Sequence, residues 1–252
     1  MKVVFLGTGT STGIPIIGCH CAVCESKDPK DKRTRTSIYV EQEGTKLVVD
    51  TGPDFRAQML REGIEDIDAV LFTHAHKDHI AGLDDVRPIN YLQKKVIDVY
   101  ANEFTTERLK AEYPYIFGSS YPGIPLINLN LIGTENFQVR SIHVIPLEGM
   151  HGKMPVLGFR FGSFSYITDV NFIAEKELEK IKGSKVFVID ALHHKHHYSH
   201  FTLEEALEVV KKVNADTTYL IHMSHFMGMH QEVEKDLPQN VHLSYDGLTL
   251  NI

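Results

Sequence analysis

Between Phe72 and Gly82 the chain reads FTHAHKDHIAG, which places His74, His76, Asp78 and His79 within six residues. Imidazole and carboxylate are the usual ligands of divalent transition metals, and the spacing suits more than one ion. His74 and His76, two apart on extended backbone, point the same way and can share an ion. Asp78 and His79 lie on the turn beyond, where they can face a second. Two-metal hydrolytic sites hold their ions about 3.5–4 Å apart, close enough for one loop to feed both. One loop cannot complete two coordination shells, so further ligands must come from elsewhere. His151, Asp169 and His222 each stand just after a predicted strand and are the candidates. His143, inside the alternating run IHVIP, reads as an ordinary strand histidine.

A second cluster lies in GCHCAVCES, where Cys19, Cys21 and Cys24 are all the cysteines of the chain. An odd number packed this closely is a poor disulfide framework, and three thiolates suit a structural Zn²⁺ that lacks one ligand. His20 is awkwardly placed between two of them, whereas His225 follows His222 by three residues in LIHMSHF. Gly7, Gly9 and Gly13 give G-x-G-x-x-x-G followed by the cysteine loop, which is not the dinucleotide fingerprint. Tight-turn glycines leaving room for substrate are the better reading.

The elements that must position these residues are legible in outline. Lys2–Leu6 is a predicted strand, followed by a long loop from Thr10 to about Arg33. Strands at Ser37–Glu41 and Lys46–Val49 precede a helix capped by Asp54, running to Glu62 and stopped by Gly63. Ala69–Phe72 is a short apolar strand that delivers the chain into the histidine motif. Asp85–Lys94 reads as helical, Ile97–Tyr100 as a strand and Thr105–Glu112 as a helix. Tyr113–Pro125 is turn chemistry with large apolar side chains: a buried connection, a lid over a pocket, or, around Tyr113–Tyr121, an interface. Strands follow at Leu126–Ile132, Phe137–Arg140, Ile142–Pro146, Val156–Phe161 and Phe164–Thr168. A helix at Glu175–Ile181, a strand at Val186–Ile189, an amphipathic helix at Leu203–Val213 and strands at Thr217–Ile221, Val241–Ser244 and Leu248–Asn251 complete the chain. No repeat or linker interrupts this, so one α/β domain over residues 1–252 is expected.

Composition sets limits. Of 252 residues, 42% are hydrophobic, ample for a core, and no apolar run reaches the roughly 20 residues of a membrane span. A net charge of −7 disfavours extensive nucleic-acid binding, which needs a basic surplus. The opening MKVVFLGTG reads as a buried strand rather than a secretory signal, so a cytoplasmic location is expected.

H-x-H-x-D-H after an apolar strand, with Asp50 in VVDTG, His151, Asp169 in YITDV and His222, resembles the signature of the metallo-β-lactamase superfamily. The glycine-rich GTGTSTGIP, C-x-C-x-x-C and a late H-x-x-H are similar to its PhnP-like cyclic phosphodiesterase branch. The resemblance implies a four-layer αβ/βα sandwich with two mixed β-sheets. It implies that His74, His76 and His151 hold one divalent ion, Zn or Mn, that Asp78, His79 and His222 hold the other, and that Asp169 bridges, with an activated water between the ions. It assigns Cys19, Cys21, Cys24 and His225 to a structural zinc.

In HHKHHYSHFTLEEAL, His200 stands just ahead of the amphipathic helix, where phosphodiesterase branches carry a general acid. Asp78 and His200 are therefore the catalytic candidates, and Asp50, Asp190 and Asp246 the carboxylates that would orient ligands. His193, His194, His196 and His197 read as a solvated loop. The expected activity is hydrolysis of a small cyclic or nucleotide-like phosphodiester. A tRNA 3′-processing nuclease, a glyoxalase II-like thioesterase and a non-catalytic redox or sensing protein are the alternatives, and a homodimer is a candidate state.

Overall fold

The computed structural model describes residues 1–118 and 121–252. The first β-sheet is built from β1 (Lys2–Gly7), β2 (Ser37–Gln42), β3 (Thr45–Val49), β4 (Ala69–Leu71), β5 (Ile97–Ala101) and β6 (Ile127–Leu131). The second contains β7 (Phe137–Val139), β8 (Ile142–His151), β9 (Met154–Phe161), β10 (Phe164–Tyr166), β11 (Phe172–Ile173), β12 (Val186–Asp190), β13 (Thr217–Ile221) and β14 (Val241–Leu243). The last strand, β15 (Thr249–Asn251), returns to the first sheet beside β1. Strand orders are β15-β1-β2-β3-β4-β5-β6 and β11-β8-β9-β10-β12-β13-β14, with β7 paired to β8. Both sheets are mixed: β3 to β6 run parallel, as do β10, β12, β13 and β14.

Parallel neighbours need crossovers, and here helices provide them. Phe55–Glu62, Arg87–Gln93 and Glu103–Glu112 cover the outer face of the first sheet; Glu175–Ile181 and Leu203–Val213 cover that of the second. The side-chain period of two decides which face each residue joins. Val3 and Phe5 of β1 enter the core between the sheets with Phe159, Phe161, Phe164 and Tyr166, whereas Val4 and Leu6 pack under the helices with Phe55 and Met59. Two sheets face to face with helices outside make four layers.

The structure departs from the sequence reading in several places. The 10–33 loop contains a helical turn at Ala22–Glu25 and a 3₁₀ turn at Pro29–Asp31. Asp54 stands at the N-cap position but does not cap with its side chain; its carboxylate instead takes the Arg35 backbone N–H and guanidinium. A helix at His230–Asp236 went unread because HQEVEKD has little apolar periodicity. Within the Tyr113–Tyr121 stretch, Pro114–Phe117 is one helical turn; Tyr113 and Ile116 are buried under the first sheet, and Tyr113 Oη donates to Ile80 O at 2.7 Å. That part is a packed connection, while Ser119 and Ser120 lie outside the described residues. No helix among the described residues is long and apolar enough to cross a membrane.

Candidate metal centre

The site is assembled where strands end. Asp50 follows β3, the motif at 74–79 follows β4, His151 ends β8, Asp169 follows β10, Asp190 ends β12 and His222 follows β13. Carboxyl ends of parallel strands are the usual ligand-binding edge of α/β sheets. Asp50, Asp169 and His222 have φ of 64°, 59° and 59°, in the left-handed region that few non-glycine residues adopt. Each makes a sharp turn at its strand end. Gly52 and Gly82 let two segments touch: a Cβ on Gly52 would collide with the Asp78 carbonyl, and one on Gly82 with the Gly52 carbonyl. The turn bearing Asp78 and His79 is thereby pressed onto the Asp50 loop.

His74, His76 and His151 bring ring nitrogens to within 4.8 Å of one another, and so, as a second group, do Asp78, His79, Asp169 and His222. Asp169 lies between the groups. Its Oδ1 is 3.1 Å from His222 Nε2 and 3.9 Å from His74 Nε2, and its Oδ2 is 3.4 Å from His79 Nε2. His222 Nε2 is also 3.6 Å from Asp78 Oδ2.

Hydrogen bonds behind the rings fix which nitrogen faces inward. The Asp50 carboxylate accepts from Thr73 N–H (2.8 Å), the Thr73 hydroxyl (2.7 Å) and His79 Nδ1–H (2.8 Å). Having given its proton to Asp50, the Thr73 hydroxyl accepts from His74 Nδ1–H at 3.0 Å. His151 Nδ1–H donates to Ser199 O at 2.8 Å. Asp50 thus sets the tautomer of two histidines, one of them through Thr73, a residue that carries no signal in the sequence. Among the described residues, the inward nitrogens of His74, His79 and His222 are buried without a hydrogen-bond partner. Orphaned lone pairs converging on one space are the mark of cation ligands, since buried polar atoms otherwise find partners. The donor set fits two divalent ions.

Electrostatics agree. Burial opposes charge at every group, yet Asp169, Asp78 and Asp50 outweigh it at His79 and hold that imidazole well above its ordinary range. Asp169 and Asp78 raise His222 in the same way. Against burial, His222, His79 and His74 hold Asp169 well below the carboxylate range, and His79 and His222 do so for Asp78. Burial, reinforced by His79, lowers His74; burial lowers His151 to about 4. The carboxylates thus favour positive charge in the space where cations would stand.

The cavity these groups line is about 250 Å³ and also touches Thr10, Ser11, Leu192 and His197 to His200. A larger cleft of about 840 Å³, beside Asp84, Arg87, Tyr91 and Ile124, contains none of the metal-ligating clusters. The candidate ligands line the smaller one. His143, on β8, is exposed and apart from it.

Cys19, Cys21 and Cys24 converge on His225 Nδ1, with Sγ···Nδ1 distances of 3.4, 3.4 and 3.7 Å. A tetrahedral zinc with bonds near 2.3 Å to sulfur and 2.0 Å to nitrogen has S···N edges of roughly 3.5 Å. The residues fit the ion. The Cys24 backbone N–H, ahead of its other neighbours, lowers Cys21 to about 6, favouring thiolate. His20 points elsewhere, to Glu25 at 3.0 Å.

His200 is buried at the metal groups, its ring centroid 4.5 Å from His151 and 4.8 Å from His222. Its Nδ1 faces Asp190 Oδ2 at 3.5 Å. Burial, then His222, lowers its pKa to about 4. Asp190, whose Oδ1 accepts from Val170 N–H at 3.1 Å, therefore stands behind His200 rather than behind a ligand of the two groups. Asp246 is a correction to the sequence reading: its carboxylate is taken by Thr8, Thr34 and Arg61, so it ties the first loop to the helix at Phe55–Glu62 and orients no ligand histidine.

Comparison with known proteins gives related results. Residues 45–223 match the β-lactamase superfamily domain. A crystal structure described as a new diphosphatase from the PhnP family superposes with a TM-score of 0.93 at 40% identity, covering 99% of this chain and 96% of that one. The octanoyltransferase of Porphyromonas gingivalis is 41% identical over 98% of this chain, which spans 51% of that protein. Ribonuclease Z of Methanopyrus kandleri is 24% identical over 89% of this chain and 94% of its own.

Proposed function

The chain belongs to the metallo-β-lactamase superfamily and resembles its PhnP branch, and from that premise we propose a metal-dependent phosphodiesterase acting on a small cyclic or nucleotide-like substrate. The carrying observation is His200, a buried imidazole beside both ligand groups with Asp190 behind it. Thioester hydrolysis has no use for such a group, because a thiolate leaves unaided; an alkoxide needs a proton. The related PhnP-family diphosphatase supports phosphoryl chemistry and adds diphosphate esters to the substrates to be tried. The name octanoyltransferase attaches to a protein about twice as long, of which this chain spans 51%. The net charge of −7 weighs against a tRNA substrate.

His74, His76, Asp78, His79, His151, Asp169 and His222 would hold two divalent cations, which supply Lewis acidity and an activated water when bound. Asp50 and Thr73 keep the imidazoles of His79 and His74 in the ligating tautomer. His200 Nδ1 lies 3.5 Å from Asp190 Oδ2 and 4.0 Å from Asp169 Oδ1, and in this reading its Nε2 would protonate the departing oxygen. Water adds its oxygen to phosphorus as the P–O ester bond breaks, the leaving oxygen departs as the alcohol with the His200 proton, and the proton given up by the water passes to solvent and later restores His200. A neutral resting imidazole acquires that proton when an anionic phosphoryl group binds beside it, because the anion favours the charged ring. Cys19, Cys21, Cys24 and His225 would hold a third ion, a structural zinc.

His151, Asp169 and His200 also lie close enough together to share an ion, so a ligand role for His200 is the second reading. One experiment separates the two. His200→Ala, loaded with metal and assayed on an alkyl diester, is expected to keep its catalytic ions and lose about 10²–10⁴ in kcat. On a p-nitrophenyl diester, whose leaving group departs as a stable anion, the loss should be far smaller. Equal losses with a missing ion would make His200 a ligand; no loss on either would overturn the general-acid assignment.

A further inference from the structure

Beyond the metal pocket, residues 193–198 carry a row of rings that the chemistry above does not use. The His197 centroid is 5.1 Å from His200, and Tyr198 lies 4.8 Å from His197 at 33°. His193 is 6.2 Å from His197 at 84°, and Phe226 is 6.1 Å from His193 at 79°, so these rings meet edge to face and a ligand ring would stack on their separate exposed faces. His197 and Tyr198 line the metal pocket, while His193 and Phe226 line an adjoining cavity of about 400 Å³, so the row leads from one into the other. Tyr198 and Phe226 are 77% and 70% exposed.

The row is held in place. Leu192 N–H donates to Phe201 O (2.9 Å), Leu203 N–H to His193 O (3.0 Å) and Ser224 N–H to Leu192 O (2.9 Å). His194 Nε2–H donates to Met227 O at 2.8 Å, which pins the loop to the turn bearing Phe226. His193 Nδ1 accepts from Lys195 N–H at 3.1 Å and His197 Nδ1 from Ser199 N–H at 3.4 Å, so each neutral ring carries its proton on Nε2. A surface fixed in advance loses little entropy when a ligand covers it.

We propose that this row is the shelf for the leaving group of the substrate, and that the leaving group carries a planar aromatic ring of nucleobase type. The inference rests on the phosphodiesterase reading. Whatever departs must lie on the side of the group that protonates it, and outward from His200 the rings continue through His197 to His193 and Phe226. Stacking on aromatic and imidazole faces binds any base without reading its edge. A glycerol-like or bare sugar leaving group would cover neither Tyr198 nor Phe226.

The test compares adenosine 2′,3′-cyclic phosphate with glycerol 1,2-cyclic phosphate on the metal-loaded protein, together with calorimetric binding of adenosine 5′-monophosphate against ribose 5-phosphate. The wild type should favour the adenine compound of each pair by about tenfold or more, as expected for a stacked base. Phe226→Ala should erase most of that preference, chiefly in KM, with zinc content retained; Phe226→Leu, which keeps apolar bulk beside His225, serves if the alanine variant fails to fold. Equal affinity for the two monophosphates overturns the shelf, whether or not either diester is cleaved. Equal losses on both cyclic phosphates in Phe226→Ala also overturn it, since that residue would then be supporting the zinc turn. A preference for adenosine monophosphate without cleavage of any diester would support the shelf and sink the hydrolytic reading instead.

Discussion

At the scale of single residues, the site works through partners that stand behind the rings. Asp50 and Thr73 present the lone pairs of His79 and His74 through hydrogen bonds, whereas Asp190 Oδ2 lies 3.5 Å from His200 Nδ1 without one among the described residues. Burial, compounded by Asp169, pushes the Asp190 carboxyl well above its ordinary range, so it is a group held for its position rather than its resting charge. Asp190→Asn keeps an oxygen for the Val170 N–H but can turn an amide N–H toward His200 Nδ1. The expected outcome is a loss of about 10–100-fold in kcat on an alkyl diester with metal content preserved. Loss of a catalytic ion by elemental analysis would show that Asp190 serves a ligand instead.

At the scale of elements, two short segments carry the candidate metal ligands and each has a residue on which its placement turns. Gly52 lets the loop after β3 lie against the Asp78 carbonyl. Gly52→Ala has no space for its methyl group and must push the Asp78–His79 turn outward. The chain should still fold, yet bind fewer than two catalytic ions, as metal analysis after dialysis would reveal; full occupancy would mean the turn can yield. The cysteine loop makes the opposite prediction. It has little regular structure and packs a small apolar cluster of Ile14, Val23 and Cys24, so a zinc held by its cysteines would be coupled to its order. Cys21→Ser should release that ion and lower the melting temperature while leaving the catalytic ions bound. An unchanged melting curve with lost activity would overturn the structural assignment.

At the scale of the whole molecule, Asp68 joins the sheets. Its carboxylate takes the Lys46 N–H (2.9 Å) of the first sheet, Lys95 Nζ (2.9 Å) from the connection into β5, and Arg140 (3.1 Å) from the hairpin between β7 and β8 in the second. Burial opposes the charge, but Lys95, the Lys46 N–H and Arg140 prevail and hold the pKa below its ordinary value. With a folded pKa beneath the unfolded one, the unfolded chain binds more protons in between, so stability rises with pH there. The contribution is complete above the unfolded value of about 3.9 and is lost as pH falls through the folded one. Asp68→Asn should therefore cost about 1–3 kcal/mol in urea unfolding at pH 7, and the gap to wild type should close toward pH 3. A gap independent of pH would mean that packing, not charge, carries the effect.

Most strands and the long helices were legible from periodicity and turn chemistry, because burial on one face imposes a local pattern. The clusters at 74–79 and 19–24 were legible because their ligands are neighbours in sequence. The helix at His230–Asp236 escaped because its sequence is nearly all polar, and the roles of Thr73, Gly52 and Gly82 escaped because each is a contact with a segment elsewhere in the chain. Asp246 was misread for the same reason: an aspartate near a strand looks alike in sequence whether it faces a histidine or, as here, two threonines and an arginine. The sequence by itself determined which chemical groups are present and which are locally paired. Only the tertiary structure decided that His151, Asp169 and His222 meet the loop at 74–79, that His200 turns to Asp190, and that His193 and Phe226 line one cavity, because strand ends far apart in the chain become neighbours only when two sheets are packed face to face.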